Sequence, residues 1–126
     1  RMTAEKKVDV HIDIAGHPVW SMNSSLAKTM IHNLYRNALT HNLKEQGILH
    51  IHISEDTIRM ANTGTPAPLD SEHIFDRFYK SGQKAESTGL GLAIVQAICQ
   101  LYELQITYSF EEKMHIFTIS TKKSDK

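Results

Sequence analysis

The chain has 126 residues, 40% of them hydrophobic and 22% charged, the composition of one globular domain with room for a real core. Fourteen Lys and Arg balance fourteen Asp and Glu, so there is no bulk attraction for nucleic acid or an anionic membrane. The single cysteine, Cys99, excludes an intramolecular disulfide, and no apolar run is long enough to span a bilayer.

No signal-peptide pattern is present, which makes the cytosol the expected compartment. The start at Arg1-Met2 reads as a piece cut from a longer chain.

Val8-Asp9-Val10-His11-Ile12-Asp13-Ile14 alternates strictly, the pattern of a half-buried strand with Val8, Val10, Ile12 and Ile14 facing inward. Gly16-His17-Pro18 turns the chain, and Val19-Trp20 is expected as a short second strand. Asn23-Ser24-Ser25 supplies an N-cap for a helix running to about His41. Its apolar positions Leu26, Met30, Ile31, Leu34 and Ala38 recur at three- and four-residue steps.

On that helix Asn33, Asn37 and His41 are spaced i, i+4, i+8 and share one face. Asn is a poor interior helix former, and solubility alone is better served by Lys and Glu. Paired amides beside an apolar stripe suit a polar ligand or a hard cation such as Mg²⁺. Amides satisfied by water or backbone are the alternative, and this stretch alone leaves both open.

Residues 48–53 and 57–61 read as a hairpin around Ser54-Glu55-Asp56. His50 and His52 share one strand face. An H-x-H pair can hold a transition metal, with His11 as a third ligand only if its strand is adjacent; a polar outer sheet face is the favoured reading. The second strand of the hairpin runs into Asn62-Thr63-Gly64-Thr65-Pro66-Ala67-Pro68, where glycine and prolines end regular structure. An amide held by that turn could bond a heterocycle edge, or the turn is an ordinary one.

A short helical turn is expected over 71–79, then a polar, basic, mobile loop over 80–86. Ser87-Thr88-Gly89-Leu90-Gly91 opens a second long helix. Its apolar residues run nearly all round, so it is expected to be the most buried one. Glycines at a helix start leave backbone N–H groups facing outward, which suits phosphate but also permits tight packing. The P-loop pattern and the dinucleotide fingerprint are both absent. Two strands, about 104–110 and 114–121, close the chain around a turn at 111–113, and the tail from Lys122 is charged.

The order of these motifs is more specific than any one of them. N-L-Y-R-N-A-L-T-H-N at 33–42, N-T-G at 62–64, I-F-D-R-F-Y at 74–79 and T-G-L-G-L at 88–92 match an N box, a glycine box, an F box and a second glycine box. In this order the chain resembles the catalytic, ATP-binding domain of bacterial sensor histidine kinases. That domain belongs to the ATPase family shared with gyrase, a heat-shock chaperone and the mismatch-repair ATPase. The resemblance covers about residues 8–121 of a single domain spanning 1–126.

It implies an α/β fold: a two-layer sandwich of a mixed five-stranded sheet with about three helices on one face, ATP lying between the helices and a lid. By position it implies that Asn37 holds Mg²⁺ and that Asn33 lines the same site. Thr40 and His41 approach the nucleotide, Asn62 faces the adenine amino group, and Gly64 lets the base come close. Phe75 and Phe78 anchor the lid at about 80–88, and Lys80 and Lys84 reach the phosphates. Thr88, Gly89, Leu90 and Gly91 present the second glycine box to them.

Several positions depart from the family pattern. Asn62 stands where Asp is usual, Thr40 where Lys is frequent, Thr65-Pro66 at the second glycine of the first box, and Ser87 for Gly. The late G-T-rich strand motif is replaced by Lys113-Met114-His115-Ile116-Phe117. Relatives that activate water or a hydroxyl carry Glu at the position of Asn33. An amide cannot take that proton near neutral pH, which points to an acceptor that is already nucleophilic.

The resemblance therefore implies transfer of the ATP γ-phosphate to a histidine on a separate dimerisation domain, for relay to a response-regulator receiver domain. None of the eight histidines has the acceptor context H-E/D-x-x-[TS]-P; each is followed by Ile, Pro or Asn. The chain is thus read as the catalytic piece, monomeric by itself, of a homodimeric and membrane-anchored sensor whose kinase portion is cytoplasmic. A stand-alone serine kinase of the anti-sigma type and a non-catalytic nucleotide-binding module remain the alternatives.

Overall fold

The computed structural model describes residues 7–79 and 90–121. Five strands and two α-helices follow in the order β1 (Val8–Ile14), α1 (Ser24–Thr40), β2 (Gly47–Ile53), β3 (Thr57–Thr63), α2 (Gly91–Leu101), β4 (Leu104–Glu111) and β5 (Met114–Thr121). They form one mixed sheet in the order β1-β2-β3-β5-β4. β1 and β2 are parallel, as a crossover through a helix requires. The other pairs are antiparallel, two of them being the hairpins β2–β3 and β4–β5.

Helix α1 begins where Asn23 stops extending: its side-chain oxygen accepts the Leu26 N–H at 3.0 Å, satisfying one free donor of the first turn. Met30, Leu34 and Ala38, one turn apart, are buried against the sheet. They meet Leu49, Ile51, Met60, Ile106, Phe117 and Ile119 from the strands and Val95, Ile98 and Cys99 from α2, forming one core between helices and sheet. The short helical turn expected over 71–79 is a chain of turns closed by His73 N–H to Asp70 O, Asp76 N–H to His73 O and Tyr79 N–H to Asp76 O.

Two expectations are corrected. β1 is a strand, but of its apolar row only Val8 is half-buried: Val10 is 39%, Ile12 61% and Ile14 57% exposed. Register places that row beside Leu49, Ile51 and Ile53 on the helix side of the sheet, at an edge that α1 and α2 do not reach. Val19-Trp20 forms no strand, and Val19 is exposed. α2 is the more buried of the two described helices, as expected, with Val95, Ile98 and Cys99 of its eleven residues buried against three of seventeen in α1, although Ile94 and Leu101 face outward. Eleven residues packed on one side only leave an opposite face, whatever its polarity.

Candidate active site

The end of α1, the end of β3 and the start of β5 meet in one place. Asn42, just past α1, is 4% exposed, and all its amide atoms are used. Its Nδ2 donates to Ala38 O (3.2 Å) and Ile48 O (3.1 Å), and its Oδ1 accepts from Leu43 N–H (2.8 Å) and the Thr63 hydroxyl (2.6 Å). The Thr63 oxygen in turn accepts the Ile48 N–H at 2.9 Å. A side chain at Gly47 would collide with Asn42 Oδ1, which explains glycine there. These bonds tie the helix to the glycine turn.

Asn62, one residue before Thr63, is 3% exposed. Its Nδ2 donates to Thr63 O at 2.8 Å, and its Oδ1 is buried without a partner. Because Nδ2 faces a carbonyl, which can only accept, the amide orientation is fixed and the free atom is an acceptor. An unpaired buried carbonyl costs free energy and needs a reason. Beside it, a Cβ at Gly64 would lie 2.8 Å from the His41 carbonyl oxygen and 3.2 Å from the His115 ring, so only glycine lets the turn close on both.

On α1, Asn33, Asn37, Thr40 and His41 are all half-buried, along the edge of the helix. Asn33 Nδ2 donates back to Thr29 O at 2.8 Å, and its Oδ1 lies 3.3 Å from where a Cβ of Gly91 would be. The first helix and the start of α2 are thus brought together at Asn33 and Gly91, as expected. The Asn37 amide makes no hydrogen bond within the described residues, in contrast to Asn33. His41 ends α1: its N–H donates to Asn37 O at 3.1 Å, and the Asn42 N–H donates to Leu39 O at 3.2 Å. Leu90 precedes α2, whose first turn has no side-chain cap and no acidic residue. An open cavity of about 790 Å³ runs along α1, with Ala27, Ile31, Tyr35 and Asn33 in its wall; Asn37 and Asn62 are not part of that wall.

The two phenylalanines of the F box behave differently. Phe75 packs edge-on against Phe117, ring centres 6.2 Å apart. Phe78 is 66% exposed, its φ of 68° is strained for an aromatic residue, and among the described residues the Arg77 guanidinium lies over its ring at 5.8 Å. Tyr79 packs on the core. Lys80, Lys84, Thr88, Gly89 and the lid expected over 80–88 lie outside the described residues.

His11 does lie directly opposite His50, and Asp13 opposite His52, with His52 Nδ1 and Asp13 Oδ2 3.0 Å apart. Their ligand atoms do not converge as a set. Among the described residues the group of three that does is Asp70, Glu72 and His73, all exposed. Asp76 and Asp70 raise the His73 pKa, the hydrogen bond to Asp76 contributing most.

The sequence reading missed Asn42, Thr63, Tyr108 and His115. Asn42 was readable as the third amide of the N box, placed where the helical apolar period stops. Nothing in the alternation of a strand marks His115.

Residues 22–125 match the family model described as histidine kinase-, DNA gyrase B- and HSP90-like ATPase. The chain belongs to this ATPase family. The heme sensor protein HssS of Staphylococcus epidermidis is 34% identical over 95 residues, 72% of this chain and 21% of HssS. This chain therefore spans about a fifth of the curated relatives it matches. In fold it is similar to a mycobacterial sensor histidine kinase, MprB, with a TM-score of 0.78 at 17% identity over 89% of this chain and 81% of that one. It is also similar to the histidine kinase ThkA solved in complex with the response regulator TrrA (TM-score 0.70, 22% identity, 93% of this chain and 34% of that one). In ATPase-family terms the mixed five-stranded α/β sandwich is the expected one. No helix among the described residues is long and apolar enough to cross a membrane.

Proposed function

We infer that this chain is the ATP-binding catalytic domain of a sensor histidine kinase, with its core over about residues 8–121. The single observation that carries this reading is the buried, unpartnered Oδ1 of Asn62, an acceptor whose orientation is fixed by Thr63. An adenine amino group supplies the donor it lacks. The bond is neutral, about half as strong as the charge-assisted one an aspartate would make. Burial beside Gly64 offsets part of that difference by keeping water away.

The fit of Mg²⁺ rests on donor chemistry. The Asn37 amide oxygen is half-buried, uncommitted within the described residues and neutral, a suitable ligand for a hard cation that keeps most of its waters. Asn37 would hold the ion, which when bound neutralises charge on the phosphates. Asn33 lines the same region but is tethered to Thr29, and it cannot serve as a base.

Without a base, the acceptor must be nucleophilic itself. A histidine imidazole of a separate domain forms the N–P bond as the bond from the γ-phosphorus to the bridging oxygen breaks and ADP leaves. The chain's contribution is positioning: Asn62 and Gly64 fix the base, while Asn37 and the backbone at Leu90 and Gly91 orient the phosphates. In the full protein the phosphoryl group passes on to a receiver domain, and the kinase is the cytoplasmic part of a membrane-anchored dimer.

Incubation with labelled ATP, Mg²⁺ and a separately supplied acceptor-helix domain tests the reading. Acid-labile, base-stable label on the acceptor histidine is expected. Label on serine, or nucleotide binding with no transfer to any matched acceptor, contradicts it.

A further inference from the structure

His115 stands where many family members carry a G-T-rich strand motif, and its surroundings give it a task. The side chain is 4% exposed and both ring nitrogens are engaged. Nε2 lies 2.8 Å from the Thr65 carbonyl oxygen and Nδ1 lies 2.8 Å from the Tyr108 hydroxyl. The carbonyl can only accept, so Nε2 carries the proton and Nδ1 accepts from Tyr108. The Tyr108 oxygen accepts the Leu69 N–H at 3.0 Å. Burial raises the Tyr108 pKa, which keeps the hydroxyl a donor. Every polar atom of this relay has its partner when the imidazole is neutral.

The relay grips both ends of Thr65-Pro66-Ala67-Pro68-Leu69. This segment needs outside support: its two prolines have no N–H, its own bond is a long one from the Thr65 hydroxyl to Ala67 O at 3.4 Å, and the turn bonds of the following segment begin at Asp70, with Glu72 N–H and His73 N–H. On the sheet His115 is the register partner of Asn62, so the two side chains stand next to each other on one face. The edge of the imidazole also fills the space beside Gly64. Phe110 and Tyr108 hold the ring in place, with centres 4.8 and 6.0 Å away.

We propose that His115 is a positioning residue for nucleotide binding: with Tyr108 it latches the Thr65–Leu69 segment to β5 and so holds Gly64 and Asn62 in the shape that receives the base. The latch acts through Asn62 and rests on the proposed nucleotide site, so its test includes that site's own control.

Calorimetric titration of this 126-residue chain with ATP and Mg²⁺ is run on the parent, Asn62→Ala, His115→Ala, His115→Gln and Tyr108→Phe. His115→Ala is expected to weaken binding about tenfold, a change of about 1.4 kcal/mol. His115→Gln, whose amide N–H can still reach the Thr65 carbonyl, recovers most of that loss. Tyr108→Phe keeps the ring packing, loses two to fivefold in affinity, and releases the Leu69 amide to faster hydrogen exchange. The ¹⁵N shifts of the parent are expected to show the His115 proton at Nε2, facing the Thr65 carbonyl, and Nδ1 without one.

If Asn62→Ala weakens binding while His115→Ala and Tyr108→Phe bind like the parent, the latch is wrong and the site stands. If Asn62→Ala itself binds like the parent, both fall. Should His115→Ala not fold, Tyr108→Phe carries the decision, and an unchanged affinity with an unchanged Leu69 exchange rate overturns the latch. An Nδ1-protonated ring overturns it as well.

Discussion

The two halves of the proposed site are built differently. The base side sits at the end of the sheet, where Asn42, Thr63, Tyr108 and His115 have their polar atoms bonded, leaving Asn62 Oδ1 as the one buried side-chain acceptor without a partner among the described residues. The phosphate side lies on the edge of α1 and at the start of α2, where no described side chain caps the first turn and the side chains are half-buried. A flat heterocycle is recognised by shape and hydrogen-bond pattern, which needs a preformed, dry pocket. Phosphates carry charge and a hydrated ion, which need exposed donors and freedom to adjust. Rigidity and openness are thus divided between the two parts of one ligand.

The largest effect that could break this division is expected at Asn37. Asn37→Ala removes the proposed cation ligand and should weaken Mg²⁺-dependent ATP binding by about a hundredfold or more, while magnesium-free binding of adenosine is unchanged. Calorimetry with and without Mg²⁺ checks both. Equal losses in the two titrations would mean that the halves are not separable.

Asn42→Ala attacks the rigid half without touching the ligand. It strands the Ala38 carbonyl and the Leu43 N–H, leaves the Ile48 carbonyl only the Thr63 hydroxyl at 3.4 Å, and should lower unfolding stability by about 2–4 kcal/mol in a urea titration. A loss below about 0.5 kcal/mol would show that these bonds do not hold the turn.

Asn62→Asp is a finer probe. The family's usual carboxylate keeps an acceptor toward the base, but here its second oxygen would face the Thr63 carbonyl in place of an N–H. Stability should fall by about 1–3 kcal/mol. ATP affinity in the folded protein should stay within a few-fold, since the stronger acceptor offsets the strain.

The smallest effect concerns the core behind both halves. Burial pushes the Cys99 thiol up to about 11. Native protein at pH 8 should therefore not react with a thiol reagent over minutes, whereas unfolded protein reacts at once. The sign for stability follows: an acid whose folded pKa is raised contributes fully below the unfolded value, near 9, and that contribution is lost as pH rises through about 11.

Much of the frame was legible in the residues. The three- and four-residue step of Met30, Leu34 and Ala38, the Asn23 cap and the two hairpins all report local geometry, and local geometry is what periodicity encodes. The N box and glycine box could be placed together because their order matched a family, not because spacing alone brings Asn33 to Gly91. What could not be read depends on neighbours. Alternation in β1 says that Val10, Ile12 and Ile14 share a side, yet not that the helices stop short of that edge. Phe78 looked like a twin of Phe75, but its left-handed backbone turns it outward. His115 reads as one more strand residue until register sets it beside Asn62.

The most direct measurement of the central claim compares ATP with GTP on this chain in the presence of Mg²⁺. Asn62 Oδ1 is an acceptor, so it meets the adenine amino group and opposes the guanine carbonyl at the same place. ATP should bind at least about tenfold more tightly than GTP, and Asn62→Ala should bring the two affinities together. Equal binding of ATP and GTP by the parent chain would contradict a base site built on Asn62.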